Sequence, residues 1–226
     1  NCFQQQQADG SPSLTAPDWR EVVLIMAGQL HRRDVVAALL APRTPDTLVI
    51  AGLGSSAWDV TASGDSDRNF CLVGGMGLTA IIGLGLARTQ PNKNVLVITG
   101  DGDMLMGMGS LATVANVAPR NLSICVLDNE LFGETGGQPT HTAGVTDLAA
   151  IAKGAGIPLT STVRTEGELK TIVGSVHNEA GPQFHAIKIM HEELDSPKPP
   201  LDGGYTKDRF RIALLGEAAA VGGFRG

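Results

Sequence analysis

The chain reads as an α/β domain built on a doubly wound, mostly parallel sheet with helices on both faces. Three observations carry that expectation. From Thr47 onward, short runs of Val, Ile and Leu alternate with segments of helical length; this order produces parallel strands joined by crossover helices. The runs are apolar throughout instead of alternating with polar residues, as strands covered on both faces are. Finally, 42% of residues are hydrophobic but only 4% are aromatic, and 29 are glycine. At 226 residues one large domain with an aliphatic core accounts for the chain.

The elements follow in order. Residues 1–16, with Gln4 to Gln7 and a Gly/Ser/Pro stretch, read as a disordered tail. Asp18 caps a helix over 19–30, and a further helix covers 33–40 and ends before Pro42. Strands are expected at 47–51, 69–73, 94–99, 122–127, 159–163 and 183–190. Helices are expected at 56–61, 76–88, 104–117, 147–155 and 166–178. Residues 129–145 form a long polar loop, of the kind that is usually functional in a compact domain. A Pro-rich link at 196–200 leads into a basic helix at 205–215. The domain therefore spans 17–195, and 196–226 is an extension that packs on the domain or on a partner.

Charge and cysteines exclude several classes. The net charge of −6 argues against a nucleic-acid partner, which needs a basic face. The chain has no Lys/Arg run to hold a membrane surface. Residues 70–87 are uncharged and just reach the length of about 18 residues at which a membrane span becomes possible. Gly74-Gly75 divides that stretch into a strand and a helix instead. The three cysteines, Cys2, Cys71 and Cys125, form no CxxC pair, which speaks against an iron–sulfur or zinc site. Cys71 and Cys125 sit in strand runs as buried thiols, and the odd count fits a reducing, cytoplasmic compartment.

Ligands of such sheets bind outside the carboxyl ends of the strands, and three loops there carry chemistry. Gly52-Leu53-Gly54-Ser55-Ser56-Ala57 follows a strand and opens a helix. It mimics a dinucleotide-binding turn, but the acidic residue that should end the next strand is missing. Ser55 caps the helix, meets a phosphate, or does both. Gly74-Gly75-Met76-Gly77 is a glycine turn in which Met76 either fills core or projects at the turn. Gly100-Asp101-Gly102 abruptly ends a buried strand, and the next strand ends in Asp128-Asn129. Oxygen donors at neighbouring strand ends can share one hard cation.

This arrangement resembles the signature of thiamine-diphosphate enzymes. The resemblance implies that Asp101, Asn129 and the Leu131 carbonyl hold Mg²⁺, which anchors the diphosphate. Gly54, Ser55 and Ser56 match the diphosphate-binding segment. Gly74 matches the residue whose carbonyl accepts from the cofactor's 4′-amino group, and Met76 matches the wedge between its two rings. Gly100, Gly102 and Asp103 complete the diphosphate turn; Asp103 departs from the serine common there, and caps Met106 in this reading. Phe132 and Gly133 join the cofactor contacts. Glu134, Thr135 and His141 are the polar candidates for catalysis on the loop.

Within that family, the motifs Gly75-Met76-Gly77-Leu78, Gly109-Ser110-Leu111, Thr135-Gly136-Gly137-Gln138 and Lys207-Asp208-Arg209-Phe210 are similar to the β subunit, or C-terminal cofactor domain, of sulfopyruvate and phosphonopyruvate decarboxylases. The resemblance implies decarboxylation of an anionic 2-oxo acid to an aldehyde. It also implies a separate α subunit that carries the pyrimidine-binding domain and its activating glutamate. Lys198, Lys207, Arg209 and Arg211 are either cations for the acidic tail of the substrate or a solvated basic face. Half-subunits of a carboligase or 2-oxo-acid oxidoreductase, or a non-catalytic cofactor-binding homologue, would share these motifs.

Overall fold

The computed structural model describes residues 30–195 and 197–221. The tail expected at 1–16 and nearly all of the helix expected at 19–30 lie outside them. The described chain opens with α1 (Arg32–Leu40), β1 (Thr47–Ala51), α2 (Ser55–Ala62), β2 (Asn69–Cys71), α3 (Thr79–Thr89) and β3 (Asn94–Gly100). It continues through α4 (Asp101–Met106), α5 (Ser110–Val117) and β4 (Leu122–Asp128). A short antiparallel ribbon follows, made of β5 (Leu131–Phe132) and β6 (Gln138–Pro139). Then come α6 (Leu148–Ala155), β7 (Leu159–Val163), α7 (Glu166–Asn178), β8 (Gln183–Lys188), α8 (Gly203–Leu215) and α9 (Glu217–Val221).

Six strands form one sheet in the order β2-β1-β3-β4-β8-β7, and every pair is parallel. The expected doubly wound α/β class is thus the observed one. The chain runs from β1 out to β2 and then returns to the other side of β1 as β3. The loops after β1 and β3 therefore diverge, and this is where a doubly wound sheet opens a crevice. Register places Gly100 of β3 beside Leu127 of β4, so Asp101 and Asp128-Asn129 emerge side by side at the carboxyl edge.

Alternation along each central strand divides the core in two. Val49, Ala51, Leu96, Ile98, Cys125, Leu127 and Ile187 pack with α1, α2 and α7 on one face. Leu48, Ile50, Val95, Val97, Ile124, Val126 and Phe184 pack with α3, α5 and α6 on the other. Each fully buried aliphatic side chain contributes roughly 1.5–3 kcal/mol, and this two-sided core holds the carboxyl edge in place. Burial pushes the Cys71 thiol up to about 11 and the Cys125 thiol up to about 12, so both stay protonated and act as small apolar side chains. On the far side of β2, Phe210 of α8 meets Phe70 edge-on at 5.5 Å. None of the described helices is long and apolar enough to cross a membrane.

Two helices differ from expectation for identifiable reasons. The helix expected from Met76 begins at Thr79, because Gly75 and Gly77 adopt φ of 75° and 87°, outside the helical region. The helix expected at 104–117 is broken into α4 and α5. At the break, Gly107 lies against the backbone of Gly77, and a Cβ there would collide with the Gly77 carbonyl oxygen. Gly107→Ala is therefore expected to displace the Met76 turn and cost about 1–3 kcal/mol, as overpacking does. Thermal denaturation measures it, and an unchanged midpoint would show that the two turns can separate freely.

Candidate active site

A cavity of about 430 Å³ opens at the carboxyl edge of the sheet, within the size range of small-ligand sites. Its walls come from the β1–α2 loop, the Met76 turn, the β3–α4 turn, the β4–β5 turn with the 3₁₀ turn after it, and the segment that follows β8. The sequence-expected residues Gly54, Ser55, Ser56, Met76, Gly100, Asp101, Gly102, Asp103, Asn129, Leu131, Phe132, Gly133, Glu134 and Thr135 all line it.

The β1–α2 loop is shaped by Gly54, whose φ of 69° disfavours any side chain. Space points the same way, since a Cβ on Gly54 would come within 2.6 Å of Glu134 Oε1. Glu134 thus folds directly over this loop from its 3₁₀ turn. Gly54 is itself the N-cap of α2 and no side chain caps that terminus. Ser55 is already the first helical residue, so the alternative in which it caps the helix does not apply.

The β3–α4 turn is packed against two aromatic and sulfur side chains. A Cβ on Gly102 would lie 2.8 Å from the Phe132 ring and 3.4 Å from Met76 Cε, so only glycine lets these two side chains pack this closely on the turn. Asp103 does not cap Met106. It lies inside α4, where one carboxylate oxygen accepts the Gly77 N–H and the other accepts the Thr99 hydroxyl. Asp103 therefore ties the Met76 turn to the end of β3. A serine side chain is too short to span both partners with charge, which accounts for the departure noted above.

The oxygen donors at the edge form one buried cluster. Asp101 Oδ2 accepts from Thr140 Oγ1 at 2.5 Å and from Thr142 Oγ1 at 3.3 Å. Thr142 Oγ1 also lies 2.7 Å from Asp128 Oδ1, so its one proton bridges the two carboxyl groups. The Lys188 ammonium sits 2.8 Å from Asp128 Oδ2 and 2.6 Å from Glu130 Oε1. Burial pushes the Asp101 carboxyl up, and the adjacent Asp128 charge adds to the shift. Burial works against the Lys188 ammonium, yet the two acids facing it hold its pKa above the usual value.

One ammonium faces the Asp128 and Glu130 carboxylates, with the Asp101 carboxyl beside them, and this excess of acids over cations favours a bound cation. Asn129 presents its amide oxygen, which accepts the Leu131 N–H at 3.1 Å, and an amide oxygen keeps a second lone pair. A carboxylate, an amide oxygen and a backbone carbonyl are hard donors that fit a divalent cation keeping other oxygens from ligand and water. Among the described residues no three His, Cys, Asp or Glu side chains gather as metal ligands, and this donor set needs only one.

Two candidates stand elsewhere. His141 is exposed on the second 3₁₀ turn and is not among the lining residues, so this arrangement gives it no part in chemistry inside the cavity. Gly74 is exposed and also lies outside the walls. Lys198, Lys207, Arg209 and Arg211 do not line the cavity either. Arg209 makes a bidentate pair with Asp65 at 2.6 and 2.8 Å, and Lys207 pairs with Asp208. Conversely, Arg32, Leu53, Trp58, Ile189 and residues 191–194 line the cavity without having been singled out. The signal that brings in 191–194 is the pairing of Leu30 with Ile189 just past β8, a contact between segments remote in sequence.

Fold and site together define a doubly wound α/β domain with a cavity at the carboxyl edge of its parallel sheet. The model of the thiamine pyrophosphate enzyme family, C-terminal TPP binding domain, matches residues 61–187. The sulfopyruvate decarboxylase subunit beta of Methanocaldococcus jannaschii is 35% identical over 72% of this chain and 86% of its own length. The phosphonopyruvate decarboxylase of Streptomyces viridochromogenes is 36% identical over 82% of this chain, which spans 46% of that longer protein. An X-ray structure from Mycobacterium smegmatis, assigned as a thiamin diphosphate-dependent enzyme, superposes with a TM-score of 0.62 at 20% identity. It covers 72% of this chain and 32% of its own, and at that identity it shows the shared fold. The chain belongs to the thiamine pyrophosphate enzyme family, as its C-terminal TPP-binding domain.

Proposed function

We propose that this chain is the diphosphate-binding subunit of a cytoplasmic, thiamine-diphosphate- and Mg²⁺-dependent decarboxylase of an anionic 2-oxo acid such as sulfopyruvate or phosphonopyruvate. A partner α subunit supplies the pyrimidine-binding half and its activating glutamate. The observation that carries this reading is the meeting of Ser55, the Gly100–Gly102 turn and Asn129 on one cavity, beside the buried acid cluster of Asp101, Asp128 and Glu130. Its likeness to a decarboxylase β subunit over most of both lengths supports the subunit role.

When bound, thiamine diphosphate supplies the electron sink that takes the bonding pair as CO₂ leaves. Asp101, Asn129 and the Leu131 carbonyl hold the Mg²⁺. Ser55, Ser56 and the backbone around Gly102 meet the diphosphate at helix N-termini. Met76, held between glycines, supports the bend of the cofactor. Glu134 and Thr135 stand at the mouth, where a carboxyl and a hydroxyl can hold or pass a proton. The ribbon β5–β6 and the 3₁₀ turn between its strands cover the site and limit water.

Co-expression of the chain with its partner, followed by NMR analysis of products from a series of 2-oxo acids, tests the proposal. Aldehyde and CO₂ from sulfopyruvate or phosphonopyruvate are expected. An acyloin product would replace decarboxylation with carboligation, and full activity of the purified chain alone would remove the partner. Met76→Ala is expected to slow C2-proton exchange of bound cofactor about tenfold or more through lost positioning. Exchange at the wild-type rate would reduce Met76 to packing.

A further inference from the structure

The charged side chains lining the cavity are Asp101, Asp103, Glu134, Glu192, Glu193 and a single Arg or Lys among the described residues, Arg32. Arg32 opens α1 and its side chain is 5% exposed. Nη1 donates to Asp59 Oδ2 at 2.9 Å, while Nε is buried without a hydrogen-bond partner. A buried N–H left unmade is costly, so such a group marks a place where an acceptor belongs. Asp59 does not neutralise Arg32 fully, because Arg33 Nε shares the same carboxylate at 3.3 Å. Two guanidinium groups thus share one carboxylate, which leaves the Arg32 Nε side of the fork without an acceptor. The Glu192 carboxylate beside it is engaged by the Arg32 backbone N–H at 3.2 Å and by His31 at 2.7 Å.

We propose that Arg32 is the residue by which this cavity recognises a tetrahedral oxyanion, either a phosphate of the cofactor or the sulfonate or phosphonate tail of the substrate. The inference rests on the function proposed above. A diphosphate carries more negative charge than one divalent cation cancels, and every other charged side chain on the walls repels it. A sulfonate or phosphonate tail faces the same shortage of cations. A guanidinium fork matches such oxyanions with paired hydrogen bonds, and its burial strengthens the attraction. Asp59 serves as a positioning residue that orients the fork.

The test uses the full chain, alone and co-purified with its partner, as wild type, Arg32→Lys, and Arg32→Gln combined with Asp59→Asn. The double variant removes both members of the buried pair, so the only charge that loses its partner is that of the partly exposed Arg33. Calorimetry with Mg²⁺ reads inorganic pyrophosphate and thiamine diphosphate separately, and steady-state kinetics compares sulfopyruvate with pyruvate, which has no acidic tail. Loss of a charged hydrogen bond is expected to weaken the affected step by about 10- to 100-fold. Weaker pyrophosphate and cofactor binding assigns the oxyanion to the cofactor. Unchanged cofactor binding with a raised KM for sulfopyruvate, but not for pyruvate, assigns it to the substrate tail. Unchanged constants throughout, with only a lower melting temperature, would make Arg32 a pin between α1 and α2 and overturn the proposal while leaving the decarboxylase reading intact. Pyrophosphate binding that depends on Arg32 in a chain that ignores thiamine diphosphate would do the reverse.

Discussion

Asp101→Ala is expected to abolish Mg²⁺-dependent binding of thiamine diphosphate while leaving the fold standing. The carboxylate is the only charged member of the proposed ligand set, and the charge deficit of the cluster is what draws a divalent cation to it. Removing groups that merely support a metal ligand typically weakens binding about 10- to 100-fold, so removing the charged ligand should exceed that range. Stability should change little, because the substitution relieves the repulsion between Asp101 and Asp128 that contributes to its raised pKa. The cost is confined to the hydroxyls of Thr140 and Thr142, which lose an acceptor. Asp101→Asn keeps an oxygen without the charge and should fall between. Calorimetry of the cofactor with and without Mg²⁺ decides the matter. An affinity equal to wild type would remove Asp101 from the cation site, and a collapse in melting temperature would show that it is structural.

The strands were legible because their cause is local. Runs such as Val95-Leu96-Val97-Ile98 are apolar on both faces, and only a sheet covered twice can bury them. Strand ends were legible for the same reason, and they placed Gly100–Gly102 and Asn129 at one edge before any contact was known. Helix ends were less so. Nothing in the composition of 76–88 or 104–117 reveals that Gly77 and Gly107 touch, yet that contact ends one helix pattern and interrupts the other. The β5–β6 ribbon, with two residues in each strand, is too short to leave a period-two pattern.

The site divides along the same line. Residues that reach the cavity from the turn directly after a strand could be named from the chain, since topology alone brings those turns together. Arg32 and residues 191–194 reach it where the start of α1 meets the segment beyond β8, which no motif announces. His141 stands differently, exposed and outside the cavity walls. A polar loop with a histidine invites an acid–base role, but the turns of the loop expose that side chain while Thr140 and Thr142 beside it are buried against Asp101. Hydroxyls, the less conspicuous candidates, are the ones the loop delivers to the cluster.

Lys188→Met should be the most damaging single substitution for stability. Lys188 is the last residue of β8, in register with Asp128, and among the described residues its ammonium is the one cation that meets both Asp128 and Glu130. Methionine matches its length, so no cavity forms, but two buried carboxylates are left without a counter-charge. Breaking a buried pair from one side costs about 3–5 kcal/mol, which corresponds to a fall in melting temperature of roughly 6–20 °C for a domain of this size. Glu130 also holds a φ of 65°, an uncommon conformation for a non-glycine residue, costing about 1–3 kcal/mol unless surroundings enforce it. With Lys188 gone, only its backbone bond to the Thr140 N–H and the bond it donates to Asp128 remain to enforce it. Asn129 sits between those two acids, so cofactor affinity should fall with stability. The pH dependence has a definite sign. The folded pKa of Lys188 is raised, so its contribution is complete below the unfolded value near 10.5 and is lost only as pH rises through the folded one. The deficit of the variant should therefore be nearly constant from neutral pH to about 10. Adding Asp128→Asn and Glu130→Gln should restore most of the stability. A loss below about 1 kcal/mol, the range of exposed pairs, would mean that water reaches the cluster and that its charges do not govern the cation site.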